Sequence, residues 1–395
     1  MDASQLSVDL TRTILGADAL YRSQAAQSGD YLDSEGLVPV HWSPLEPLQI
    51  ESWPEALAGL TGIITRASRL PNSYQRDWLA EQALAVHNLL SWRSGATMSY
   101  EEIVAGTLRI DPTPPSAAAI EAARAARDRA VAAAGYASFA AYRATNLIPA
   151  NEIEVHVKRL IGELRRRTEE RLPWIRLPAD TIGTKVVTGV AFSAYCDYPG
   201  RAVWLNADIP LTLAELKQIV AHEAYPGHDA HMGHRDAIVR SGEALADTAL
   251  VITNTASSVL FEGIAERGLD LLGWRTEPDD AIAWLHGRLQ WLASIEVAHG
   301  INTGRLTTAE AAEFLRTMTD GEDGWIEAKL RFVTHELRAP FVYGYLWGGH
   351  VVGRWLKRVP ALRLEEAVRH LYDKMHSPTT LKAHWMEGGI EDAHI

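Results

Sequence analysis

The stretch VAHEAYPGHDAHMGH, Val220 to His234, decides how this chain is read. Four of the 15 histidines fall within its last 13 residues, and Glu223 directly follows the first of them. A His-Glu pair opening a helix, with another His one turn or so later, is how many zinc hydrolases build a site: imidazoles bind the ion and the carboxylate works on water. The familiar spacing is His-Glu-x-x-His, whereas this chain reads His222-Glu223-Ala224-Tyr225-Pro226-Gly227-His228. In an unbroken helix, residues six apart point about 240° away from each other and lie roughly 9 Å apart along the axis. Pro226 lacks the N–H that would bond back to His222, and Gly227 tolerates backbone geometry closed to other residues. The breaker therefore sits where the chain must turn for His222 and His228 to share a metal. His231 and His234, three and six residues further on, are weaker candidates, with His228, His231 and His234 as the alternative ligand set.

Upstream, Thr212 and Glu215 have the spacing of a capping box, so the helix carrying His222 starts there. Leu213, Leu216, Ile219 and Val220 give that helix a buried stripe and a rigid base for a ligand. Before it, Lys185–Tyr195 and Arg201–Asn206 are β-branched or aromatic runs joined through Asp197-Tyr198-Pro199-Gly200, which predicts two strands around a turn. Downstream, Ser257–Leu272 has helical periodicity, and Glu262 and Glu266, four apart, project from one face of it.

These residues resemble a known family. HEAYPGH is similar to the His-Glu-x-x-Pro-Gly-His signature of the bacterial domain-of-unknown-function 885 family, grouped by similarity with the gluzincin metallopeptidases. A Glu-Gly pair inside a later helix belongs to the same pattern, matched by Glu262-Gly263 in Phe261–Glu266. A Tyr-x-x-Gly is matched by Tyr345 and Gly348. The resemblance covers Tyr198 to Trp274 and, more loosely, Pro340 to Leu356. It departs from the pattern at Asp229, where a second His is frequent, and at Ile264, where an aromatic residue is usual.

The resemblance implies a mainly α, gluzincin-like helical metallopeptidase with a small antiparallel β-sheet next to the metal helix. His222, His228 and Glu262 would hold Zn²⁺, with Glu266 orienting a ligand from behind. Glu223 would act as general base and Tyr345 would stabilise the oxyanion. The strand before the metal helix would form a sheet edge that receives substrate backbone, so Trp204 and Asn206 would line the cleft. Tyr343 and Tyr345 face opposite ways on a helix, and His350 lies on the Tyr343 side as a reserve candidate. The implied substrate is a short peptide. Alternatives are hydrolysis of a non-peptide amide, or a non-catalytic protein that zinc merely stabilises.

The remaining sequence sets the frame. At 395 residues, with 47% apolar and 22% charged residues, the chain reads as globular. A net charge of −12 argues against nucleic acid or an anionic membrane as partner. One cysteine, Cys196, excludes an internal disulfide and suits a reducing compartment. MDASQLSVDL has no basic start and apolar core, so no signal peptide is expected, and the expectation is a cytoplasmic protein. Residues 1–150 read as a helical scaffold lobe and 151–395 as the catalytic lobe, with a cleft between. Within the first, Ser52–Leu70 and Asn72–Trp92 are periodic, Asp111–Ser116 is a breaker, and Ser116 caps an Ala-rich helix. Glu152–Leu172 reads as an amphipathic helix whose Arg165-Arg166-Arg167 run pairs with Glu163, Glu169 and Glu170.

Overall fold

The structure, a computed structural model, describes residues 2–25 and 35–385. It is mainly helical, with two small sheets. No helix among the described residues is long and apolar enough to cross a membrane.

The chain forms two compact units, each gathered from separated stretches. The first comprises, of the described residues, 2–25, 35–113, 234–262 and 351–385. Its helices Ala3–Ala25, Trp53–Ala67 and Ser73–Arg93 pack together through Leu6, Leu10, Leu60, Ile63, Leu79 and Val86. The periodicity of 52–92 thus resolves into two helices separated at Asn72, whose side chain accepts the Gln75 N–H. Val40–His41 pairs antiparallel with Leu250–Val251. Buried Asp247 accepts hydrogen bonds from Ser7 Oγ (2.5 Å) and Trp78 Nε1 (2.8 Å), pinning the 246–249 turn to two of those helices.

The second unit comprises residues 114–233 and 263–350. The boundary after Thr113 falls in the Asp111–Ser116 breaker, so the division drawn from sequence at residue 150 does not coincide with a unit boundary. Ser116 caps Ala117–Ala133 by accepting the Ala119 N–H. The axis of this unit is Pro278–Asn302, against which Ala117–Ala133, Leu213–Glu223, Thr308–Thr319 and Asp323–Thr334 all pack. Ile153–Arg171 ends in the expected pairs, with Arg165 on Glu169, Arg166 on Glu163 and Glu170, and Arg167 on Glu163.

The sheet beside the metal-candidate helix differs from expectation. It has three strands, Gly183–Val187, Ala194–Asp197 and Ala202–Asn206, and the last lies in the centre. Ala202–Asn206 pairs parallel with Gly183–Val187 and antiparallel with Ala194–Asp197, so the sheet is mixed rather than antiparallel. The reason is local. Gly189 takes φ +69° and donates its N–H to Asp208 Oδ2, which bends the run 185–195 into a loop. The run is therefore two strands, one on each side of Ala202–Asn206. The expectation that Ala202–Asn206 presents a free edge to substrate is corrected, because both its sides are already paired.

Candidate metal centre and cavity

Leu213–Glu223 starts with the Thr212–Glu215 capping box and ends on the His222-Glu223 pair. The break follows at once, and His228 opens the next helix, His228–Arg240. Gly227 is required by close approach: a Cβ there would lie 1.9 Å from the His222 carbonyl oxygen. The Gly227 N–H donates to Ala221 O at 3.1 Å, so the turn folds back onto the helix it leaves. Tyr225 anchors the break from the other side. Its ring is fully buried and its hydroxyl accepts the Ile182 N–H at 3.1 Å. The outcome is that the His222 and His228 rings meet edge to face, centroids 4.6 Å apart.

Glu262 lies on Ala256–Glu266. Donor atoms of His222, His228 and Glu262 all lie within 4.8 Å of one another, and all three residues are buried. Two imidazoles and one carboxylate make a ligand set that leaves an open position on a tetrahedral ion. Metal–donor bonds of about 2.0–2.2 Å put tetrahedral donors roughly 3.4 Å apart, so small side-chain adjustments would close this set on an ion. The residues fit a zinc-type ion. Glu266 Oε1 lies 3.4 Å from His222 Nδ1, placing a carboxylate behind one ring of the set. Gln218, one turn before His222, donates to Glu266 O at 3.1 Å and ties the two helices together.

Gly263 explains the Glu-Gly pair. A Cβ on it would come within 2.3 Å of Gly348 O, on Val342–Arg358. Arg267 adds a second tie there, donating to Gly349 O at 2.7 Å. The Tyr-x-x-Gly and Glu-Gly patterns are thus two sides of one backbone crossing, which carries Tyr345 towards His222 (ring centroids 6.3 Å).

His222, Glu223, Glu266 and Tyr345 line a cavity of about 220 Å³ whose walls all come from the second unit. Tyr345 is stacked on Trp291 at 4.1 Å and 4°. Tyr343 is fully buried and lies outside the cavity wall, as its facing predicts. His350 departs from expectation: it lines the same cavity as Tyr345. The wall is two side-chain rows wide, Tyr345 with Gly349 and Leu346 with His350, and the helical facing of a single residue does not reveal that width.

Trp204 and Asn206 are absent from the wall, and Phe192, Ser193 and Ala194 stand there instead. Trp204 carries Lys185 over its ring at 3.9 Å. The Asn206 side chain donates to Val190 O and Phe192 O and accepts the Asp208 N–H, which shapes the 188–193 loop. His234 bonds Asp373 at 2.7 Å, and neither it nor His231 belongs to the three-donor group. Asp229 is buried and takes the Arg201 guanidinium. Burial pushes its carboxyl up, and Arg201 opposes the shift.

Sequence reasoning passed over the cavity's far wall, formed by Trp284, Arg288 and Trp291 of Pro278–Asn302 and by Trp325 and Lys329 of Asp323–Thr334. The available signal was the density of tryptophans in 284–325.

No family model matches this chain, and no curated protein matches it in sequence. Solved structures do match in fold. A "putative lipoprotein" from Colwellia psychrerythraea is 14% identical, with TM-score 0.54, over 85% of this chain and 70% of that one. A "putative lipoprotein of unknown function" from Shewanella oneidensis is 14% identical, with TM-score 0.48, over 85% of this chain and 73% of that one. At such identity the first likeness is one of fold alone.

Proposed function

We propose that this protein is a metal-dependent peptidase of gluzincin-like arrangement, akin to the domain-of-unknown-function 885 family, that cleaves short peptides. The observation that carries the reading is the buried His222, His228, Glu262 donor set, with Glu223 adjacent in sequence and facing the cavity. A purely stabilising ion would need no such base beside an accessible space. Zinc, when bound, supplies Lewis acidity to water and to the scissile carbonyl. Glu223 takes a proton from the attacking water and delivers it to the leaving amine. Glu266 holds the His222 ring in place. Tyr345, braced by Trp291, donates a hydrogen bond to the oxygen on which charge develops. A cavity of about 220 Å³ favours short peptides over folded chains. The single buried Cys196 supports a cytoplasmic setting.

The test combines metal analysis of purified protein with digestion of a peptide library. About one zinc per chain, lost in His222→Ala and His228→Ala, together with cleavage abolished in Glu223→Gln, is the expected result. Metal content unchanged in both histidine variants would overturn the assignment. A wild-type protein that binds zinc yet cleaves no peptide would redirect the proposal to a non-peptide amide.

A further inference from the structure

Lys329 is a buried cation of the cavity that the chemistry above leaves unused. It sits on Asp323–Thr334, is 9% exposed, and lines the cavity. Its Nζ lies over the rings of Trp291 (4.4 Å), Phe332 (5.4 Å) and Trp325 (5.9 Å). No carboxylate among the described residues pairs with it. Of the acids sharing the cavity, Glu223 is the proposed base and the others are engaged elsewhere: Glu215 and Glu322 with Arg143, Asp320 with Arg127, and Glu266 beside His222. Burial alone pushes the ammonium down to about 7. Aromatic faces attract a cation but do not replace its water. A second cation, Arg288, lines the cavity one turn before Trp291 on Pro278–Asn302 and also has no acidic partner among the described residues. Arg267, in contrast, is held by Gly349 O and Asp270.

We infer that Lys329, assisted by Arg288, anchors a carboxylate of the substrate in this cavity, supplying the counter-charge that the protein itself withholds. Trp291 bears Lys329 and also stacks on Tyr345, which neighbours His222. The anchor is therefore within reach of a peptide of a few residues, at about 3.3–3.6 Å each when extended. The inference deepens the peptidase reading and rests on it for the peptide nature of the ligand. Recognition of a carboxylate does not depend on the metal.

The experiment is calorimetric titration with 3-phenylpropanoate and its neutral counterpart 3-phenylpropan-1-ol, on protein as purified and after chelation. The carboxylate should bind at least tenfold tighter in both forms. Lys329→Met should erase that preference. In wild type the preference should fall about tenfold per pH unit above pH 7, since a carboxylate favours the protonated amine and the free amine must then be charged at a growing cost. That arm needs no folded variant. Equal binding of acid and alcohol by wild type, or a preference unchanged in Lys329→Met, overturns the inference. Two peptides titrated onto Glu223→Gln protein identify the source: one with a free C-terminus and no acidic side chain, one amidated and carrying a single aspartate. Binding of either that depends on Lys329 supports the anchor and names the carboxylate, and binding of neither refutes it. Loss of peptidase activity in every assay with the phenylpropanoate preference intact would sink the peptidase reading alone.

Discussion

Replacing Gly263 by alanine sets two effects of known size against each other. An alanine inside a helix is favoured over glycine by about 1 kcal/mol. Gly162 provides the reference, because it lies within the helix Ile153–Arg171 and a Cβ there meets nothing within 4 Å. Gly162→Ala should therefore stabilise by up to about 1 kcal/mol. At Gly263 the added carbon would stand 2.3 Å from Gly348 O, and the obstacle is backbone, so no side chain can swing aside. The crossing must open by about 0.7 Å or more to reach even the shortest tolerable contact. Overpacking of this kind costs about 1–3 kcal/mol, which outweighs the helix gain. The expected net is a destabilisation of up to ~2 kcal/mol, read as a lower urea midpoint at unchanged m value. Opening the crossing also moves Tyr345 away from His222 and Glu262. Misplacement near 1 Å can cost on the order of 10²-fold in rate, so activity should fall further than stability. If Gly263→Ala and Gly162→Ala raise the midpoint alike, the crossing does not hold the site and the explanation of the Glu-Gly pair fails.

Other expectations follow from single residues. Glu223→Gln should keep fold and zinc while lowering peptide hydrolysis about 10²–10⁴-fold, checked by metal analysis and turnover together. Tyr345→Phe should lower kcat and kcat/KM in parallel, whereas Tyr343→Phe, buried outside the cavity, should change stability only; the reverse pattern would shift the role and make His350→Gln the next variant. Burial holds the His286 and His376 imidazoles well below their ordinary range and His370 down to about 4. The unfolded chain thus binds more protons below pH 6.5, so stability should decline as pH falls from 6.5 towards 4, by up to about 1.4 kcal/mol per unit for each histidine. Urea midpoints measured at pH 7 and pH 4.5 check this, and a flat profile would contradict it.

The parts of the site written in local sequence were legible. Pro226-Gly227 marks a break and Thr212 with Glu215 marks a helix start, because each acts on backbone within a few residues; Glu262-Gly263 shows in the sequence only as a motif, since the close approach it serves is to Gly348, 85 residues on. What escaped depends on partners distant in sequence. A run such as Ala202–Asn206 shows its strand character through its side chains, yet whether one or both of its edges are paired depends on where a glycine loop sends the preceding segment. Lys329 and Arg288 look like ordinary surface cations in their own helices, and only Trp291 and the surrounding wall turn them towards a cavity. The unit composition was hidden for the same reason, since stretches hundreds of residues apart join in the first unit.

The crossing at Gly263 and Gly348 also fixes an order of events during synthesis. His222, His228 and Glu262 emerge within about 40 residues of one another, while Tyr345 follows roughly 80 residues later. At about 5–20 residues per second, the nascent chain holds all three donor residues for ~4–16 s before the tyrosine and its wall exist. An ion could thus be taken up before that wall is in place, and the helix Val342–Arg358 would arrive as the piece that completes it.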